Sequence, residues 1–219
     1  MKNEKNAISS ENENIELVFI IDRSGSMSGF EEDTVGGFNS MIEKQKSGEG
    51  TVLVSTVFFN NHSEVIHDRV PIFEIEPLTK REYSVGGCTA LLDAIGDAIH
   101  HITNVHKYAR REDVPKNTVF VITTDGMENA SRRYGSDKVK RMIKEKSEKY
   151  GWEFIFVAAN IDAVETADKI GIPSSRAANY RQDSDGFADC YKAIGSFVSM
   201  KRSHLSEPML DCWKENLDG

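Results

Sequence analysis

Short β-branched apolar runs alternate with helically spaced apolar segments all the way from Glu16 to Lys201. A strand buried between two helical layers reads as a near-continuous apolar run, and a helix covering it reads with a 3.6-residue period. Strands are predicted at Glu16 to Ile21, Thr51 to Phe59, Glu64 to Val70, Asn117 to Thr124, Trp152 to Ala159 and Arg176 to Tyr180. Helices are predicted over Phe30 to Lys46, from Leu91 to Val105, and over Ser136 to Tyr150, Asp162 to Ile170 and Asp185 to Lys201. A short connecting helix is expected near Leu78. The alternation predicts an α/β fold: a doubly wound, mostly parallel sheet with helices on both faces. The turn Asn60-Asn61-His62 joins two strands as a hairpin, so one strand runs antiparallel, most simply at the sheet edge.

No linker or repeat interrupts this pattern, which predicts one domain over 15–201. Residues 1–14 are polar and expected to be disordered, and 202–219 read as a partly ordered tail. The chain has 219 residues, with 27 Lys and Arg against 35 Asp and Glu, a formal charge of −8. That balance offers no basic field for a nucleic acid. No apolar run approaches the roughly 18 residues of a membrane span, and the N-terminus lacks the apolar core of a signal peptide. Cys88, Cys190 and Cys212 form neither a disulfide framework nor a CxxC pattern, so a reducing, cytoplasmic setting is expected.

Ligands of doubly wound sheets bind beyond the carboxyl ends of the strands, which singles out residues 22–29, 125–129 and 160–163. Asp22-x-Ser24-x-Ser26 sets a carboxylate and two hydroxyls at alternate positions of a tight turn that Gly25 lets close. Converging hard oxygens suit a hard divalent cation. Taken singly, each piece has an ordinary explanation: Asp and Ser belong in turns, and Thr89, after Gly86-Gly87-Cys88, stands where a helix N-cap would stand. Asp125-Gly126 ends a strand with no second strand close enough for a hairpin.

Together, Asp22-Arg-Ser24-Gly-Ser26, Gly-Gly-Cys-Thr89 and Thr-Thr-Asp125-Gly resemble the metal-ion-dependent adhesion site of von Willebrand factor A domains, over about residues 15–200. Cys88 is an extra residue in that pattern and displaces no ligand position. The resemblance implies a Rossmann-like fold with Mg²⁺, or Mn²⁺, at the top of the sheet. Ser24, Ser26 and Thr89 would offer hydroxyls, and Asp22 and Asp125 would act directly or through water. Two carboxylates cancel the ion's charge and three hydroxyls add none, so the metal stays electrophilic toward an acidic side chain of a protein partner. The implied function is metal-dependent protein binding without catalysis, with neither nucleic acid nor membrane as partner. The chain is similar to stand-alone bacterial proteins of this kind, some of them in tellurium-resistance-associated systems.

Two enzyme classes fit the motifs less well. A metal-assisted hydrolase of the haloacid-dehalogenase type needs D-x-D after the first strand, and Ser24 takes the place of the second Asp. A serine hydrolase needs G-x-S-x-G, and Gly25 to Gly29 puts Met27 at the nucleophile position. A third possibility is a module whose metal only stabilises its loops. The Lys- and Arg-rich stretch Lys138 to Lys146 reads as a solvated helix face, with a surface for an acidic partner as the alternative, and Glu128 and Asn129 read equally as residues behind or beside the site or as a solvated loop.

Overall fold

A computed structural model of the chain describes residues 14–217, with 49, 204 and 216 excepted. The segment expected to be disordered therefore lies, apart from Asn14, outside the described residues. Six strands form one sheet: β1 (Ile15–Asp22), β2 (Val52–Phe59), β3 (Ser63–Pro71), β4 (Asn117–Thr124), β5 (Glu153–Ala158) and β6 (Ala177–Asn179). Their order is β3-β2-β1-β4-β5-β6. All pairings are parallel except β2 with β3, which places the antiparallel strand at the edge. This is the Rossmann-like α/β architecture expected from the alternation.

β1 lies at the centre, and all eight of its residues are buried. Its side chains alternate between two cores, as the two-residue strand period requires. Leu17, Phe19 and Ile21 face α1 (Glu31–Lys46) and α5 (Ser184–Arg202). Val18 and Ile20 face α2 (Leu91–Tyr108), α3 (Ser136–Tyr150) and α4 (Ala163–Lys169). Phe19 meets Phe38 of α1 edge to face, with ring centroids 5.3 Å apart. Burying each such side chain is worth about 1.5–3 kcal/mol. Besides Asp22 at its end, β1 carries one charged residue, Glu16. It is fully buried and accepts hydrogen bonds from Arg69 Nε at 2.6 Å and from His106 Nε2, which removes the cost of an unpaired buried charge.

The helix expected near Leu78 is absent; a single 3-10 turn forms earlier, at Ile72–Glu74. Asn39 of α1 explains the difference. Its amide binds both the N–H and the C=O of Leu78, each at 2.9 Å, and so satisfies the backbone groups a helix would have paired. The chain past Arg202, read from the sequence as a tail, contains α6 (Glu207–Leu210) and a 3-10 turn, Asp211–Lys214. Leu210, Trp213 and Leu217 are buried in the core under α1 and α5, and Trp213 Nε1 donates to Ser175 O at 2.9 Å. Among the described residues no helix is long and apolar enough to cross a membrane.

Candidate metal centre

β1 and β4 are neighbours, and the connections leaving their carboxyl ends diverge to opposite faces of the sheet, α1 to one and α3 to the other. That is the switch point where such sheets open a crevice. Asp22 ends β1 and Asp125 follows β4, so both carboxylates are delivered to this point by the sheet itself. After Asp22 the chain turns through a 3-10 turn at Gly25–Met27, whose buried Met27 anchors it to the core. The turn brings Ser24 Oγ within 3.0 Å of Ser26 Oγ, and Ser26 Oγ donates to Asp125 Oδ1. Asp22 Oδ1 accepts from Ser24 N at 2.7 Å, and its Oδ2 accepts from Thr124 Oγ1 at 2.6 Å. Four of the five side chains singled out in the sequence thus form one hydrogen-bonded group.

Thr89 joins them across Gly126. A Cβ built on Gly126 would lie 3.1 Å from Ser26 Oγ and 3.3 Å from Thr89 Oγ1, so both hydroxyls border the hollow that this glycine leaves open. Thr89 is not the N-cap of α2; that position is Ala90, and no side chain caps from it. The helix end is capped from a distance. Glu128 accepts from Leu92 N at 2.9 Å, and Ser131 Oγ accepts from Asp93 N at 3.0 Å. Glu128 also accepts from Ala130 N, Ser131 N and Ser131 Oγ, so one carboxylate both folds its own loop and meets the positive end of α2. Asn129 pairs with Thr89 in both directions, its Oδ1 accepting from Thr89 N at 2.9 Å and its N–H donating to Thr89 O at 3.0 Å. Glu128 and Asn129 therefore lie behind the site and hold the second and third loops together.

The 86–88 loop is clamped on two sides. Gly86 N donates to Arg23 O, Gly25 N to Gly87 O, Asn60 Nδ2 to Gly86 O and Cys88 N to Asn61 Oδ1. Gly87 has φ +81°, and a Cβ there would fall 2.1 Å from Asn61 Oδ1, so any other residue would be strained and would push the Asn61 side chain off Cys88 N. Cys88 is exposed, and its N–H ties this loop to Asn61 in the β2–β3 turn. Beneath the site, the buried Tyr83 donates its hydroxyl to Asp22 O at 2.5 Å.

A fourth segment, which the sequence did not single out as part of the site, also reaches it. Gln182 Nε2, from the turn between β6 and α5, donates to Asp125 Oδ2 at 2.7 Å, and Asn160 Nδ2 donates to Gln182 Oε1. Residue 160 lies in one of the three strand-end segments flagged from the sequence. Asn160 takes a positive φ of 55°, a conformation Asn tolerates.

The electrostatics are those of a buried acidic site. Burial raises the Asp22 carboxyl to about 6, against the opposing effect of the hydrogen bonds from Thr124 and Ser24. Burial also raises Asp125, offset by Ser26 and Gln182. A cation would remove that desolvation cost, and every side-chain donor bordering the hollow is a hard oxygen, as Mg²⁺ and Mn²⁺ require. Nowhere among the described residues do three His, Cys, Asp or Glu side chains converge, so the site's donors are two carboxylates with hydroxyls and no imidazole or thiolate. The residues present fit the hard-cation group.

No family model matches the chain, and no curated protein does. Solved structures do resemble it. A von Willebrand factor type A protein from Catenulispora acidiphila superposes with a TM-score of 0.56 at 13% identity, covering 85% of this chain and 42% of its own. The ArnB paralog VWA2 from Sulfolobus acidocaldarius gives 0.51 at 18%, covering 83% and 44%. Proximal thread matrix protein 1 from the mussel byssus gives 0.58 at 14%, covering 85% and 46%. The chain spans less than half the length of each of these three. The likeness shows a von Willebrand A-like fold.

Proposed function

We propose that this domain binds a protein partner through a divalent cation, Mg²⁺ or Mn²⁺, held by Asp22, Ser24, Ser26, Thr89 and Asp125. The observation that supports this is that Asp22, Ser24, Ser26 and Asp125 form one hydrogen-bonded group at the carboxyl ends of β1 and β4, while the Ser26 and Thr89 hydroxyls border the hollow at Gly126. When bound, the cation supplies Lewis acidity toward a carboxylate of the partner. The chain's own residues hold it with little excess negative charge, so an incoming Glu or Asp is attracted and not repelled. Thr124, Glu128 and Asn129 keep the three loops in register with one another. Nothing in this arrangement calls for a nucleophile or a general base, and the function we assign is binding without turnover. The exposed free thiols of Cys88 and Cys212 suit a reducing compartment such as the cytoplasm.

The test is capture from the native cell on immobilised protein, in Mg²⁺ and in EDTA, with wild type and Asp125→Ala side by side. A partner retained only by wild type in Mg²⁺, and released when one of its own acidic residues is neutralised, supports the assignment. A partner retained equally in EDTA overturns it. So does Mg²⁺-dependent ester hydrolysis that Asp125→Ala abolishes.

A further inference from the structure

Asp125 is gripped from outside the three loops that supply the hydroxyls and carboxylates. Its Oδ1 faces Ser26, and its Oδ2 accepts the Gln182 amide N–H at 2.7 Å. The direction of this chain of amides is fixed by chemistry: an ionised carboxylate only accepts, so Gln182 must turn its NH₂ toward Asp125 and its carbonyl away. The carbonyl then needs a donor, and Asn160 Nδ2 provides it. Both ends of the relay are braced. Asn179 Nδ2 donates to Ala158 O and Ile161 O, tying β6 to the loop that carries Asn160. Asp183, next to Gln182, caps α5 by accepting from Gly186 N at 2.7 Å. Gly186 is pressed so closely on Arg181 that a Cβ would lie 2.0 Å from its carbonyl oxygen, which pins the turn in which Gln182 sits.

We infer that Gln182, steadied by Asn160, is a positioning residue that keeps Asp125 from turning both oxygens onto one ion, and so sets the site's preference for a small divalent cation. The inference rests on the metal assignment above. Its physical basis is the difference between the two hard cations. Mg²⁺ takes six ligands at short distance in a strict octahedron, whereas Ca²⁺ takes six to eight and readily accepts both oxygens of a carboxylate. A carboxylate with one oxygen held by a fixed amide favours the first. A carboxylate free to rotate favours the second.

The experiment is calorimetric titration of the whole chain with Mg²⁺ and with Ca²⁺. It compares wild type, Gln182→Leu, which keeps the bulk and removes the donor, Asn160→Gly, which keeps the left-handed backbone and removes the amide, and the double variant. Gln182→Leu should lower the ratio of Mg²⁺ to Ca²⁺ affinity by about fivefold or more. Asn160→Gly should lower it less, and the double variant should match Gln182→Leu, since both changes break one relay. A merely structural loss would weaken both ions together and leave the ratio unchanged; that result, in Gln182→Leu or, should it not fold, in Asn160→Gly, overturns the inference. If wild type binds neither ion, the metal assignment itself falls. If it binds Mg²⁺ and the variants bind with unchanged preference, only the role of Gln182 falls.

Discussion

Thr124 Oγ1 donates a hydrogen bond to Asp22 Oδ2 at 2.6 Å, across the boundary between the two central parallel strands. One residue thus locks the carboxyl ends of β1 and β4 together just below the point where the loops diverge. The same bond uses one oxygen of Asp22 while Ser24 N uses the other, so this carboxylate is oriented before any ion arrives. Preorganisation of this kind lowers what binding must spend on ordering side chains.

Mg²⁺ should stabilise the wild-type protein by mass action. At an ion concentration a hundredfold above Kd the gain is about 2.7 kcal/mol, which for a domain of this size raises Tm by roughly 5–10 °C. Asp22→Ala should show no such rise. A thermal-shift titration in matched buffers reads this directly, and equal shifts for the two proteins would count against the site.

Thr89 and Glu128 should separate cleanly into binding and folding roles. Thr89→Val should change unfolding in EDTA by less than about 0.5 kcal/mol, because its hydroxyl caps no helix, yet it should weaken Mg²⁺ binding. Glu128→Ala should do the reverse in EDTA, costing about 1 kcal/mol or more through loss of the carboxylate at the N-terminus of α2. Urea denaturation with and without Mg²⁺ distinguishes the four combinations.

Gly126→Ala should fill the hollow. The new methyl would meet Ser26 Oγ at 3.1 Å and Thr89 Oγ1 at 3.3 Å, so the Mg²⁺-dependent thermal shift should vanish while the far-ultraviolet circular dichroism in EDTA is retained. An undiminished shift would mean that the ion, if bound, sits elsewhere.

Acid should loosen the loop after β4 through Asp93. This carboxylate loses hydration by burial, which alone would raise its pKa, but the N–H groups of Arg132, Arg133 and Tyr134 and the Arg133 guanidinium outweigh that and hold it below the usual carboxylate value of 3.8. A carboxyl lowered on folding stabilises the fold fully above its unfolded pKa, and the stabilisation is lost as pH falls through the folded value. Asp93→Asn should therefore destabilise the protein at pH 6 and much less at pH 2–3. Chemical denaturation across that range, with wild type as reference, measures the difference.

The sheet and its helices were legible because each element carries its own period, and β1 and β4 are apolar runs bounded by polar turns. Asp22, Ser24, Ser26, Thr89 and Asp125 were legible as a set because their three segments follow strands or precede a helix, and because their order resembles the adhesion-site motif of von Willebrand factor A domains; each alone reads as a turn or cap residue. Glu128 was not legible as a cap: the amide it serves, that of Leu92, lies 36 positions earlier, and no local pattern records such a pairing. Gln182 is equally silent, a lone polar residue in a turn whose meaning comes only from the 57-residue separation that folding closes. Thr89 misleads in the other direction, since a threonine before a helix looks like a cap until Ala90 is seen to occupy that position.

The packing of Trp213, with Lys214 Nζ bonded to Ser174 O and Ala177 O, carries a consequence for synthesis. The sheet is built from its centre outward, and its last strand, β6, is only three residues long; it and the turn before it gain these contacts from residues 37 to 40 positions later. During synthesis β6 and α5 are complete before Trp213 and Lys214 are added, and until these two fold back the flank of α5 and β6 is uncovered, the kind of surface that chaperones recognise. Truncation before Trp213 should leave that surface uncovered in the folded protein.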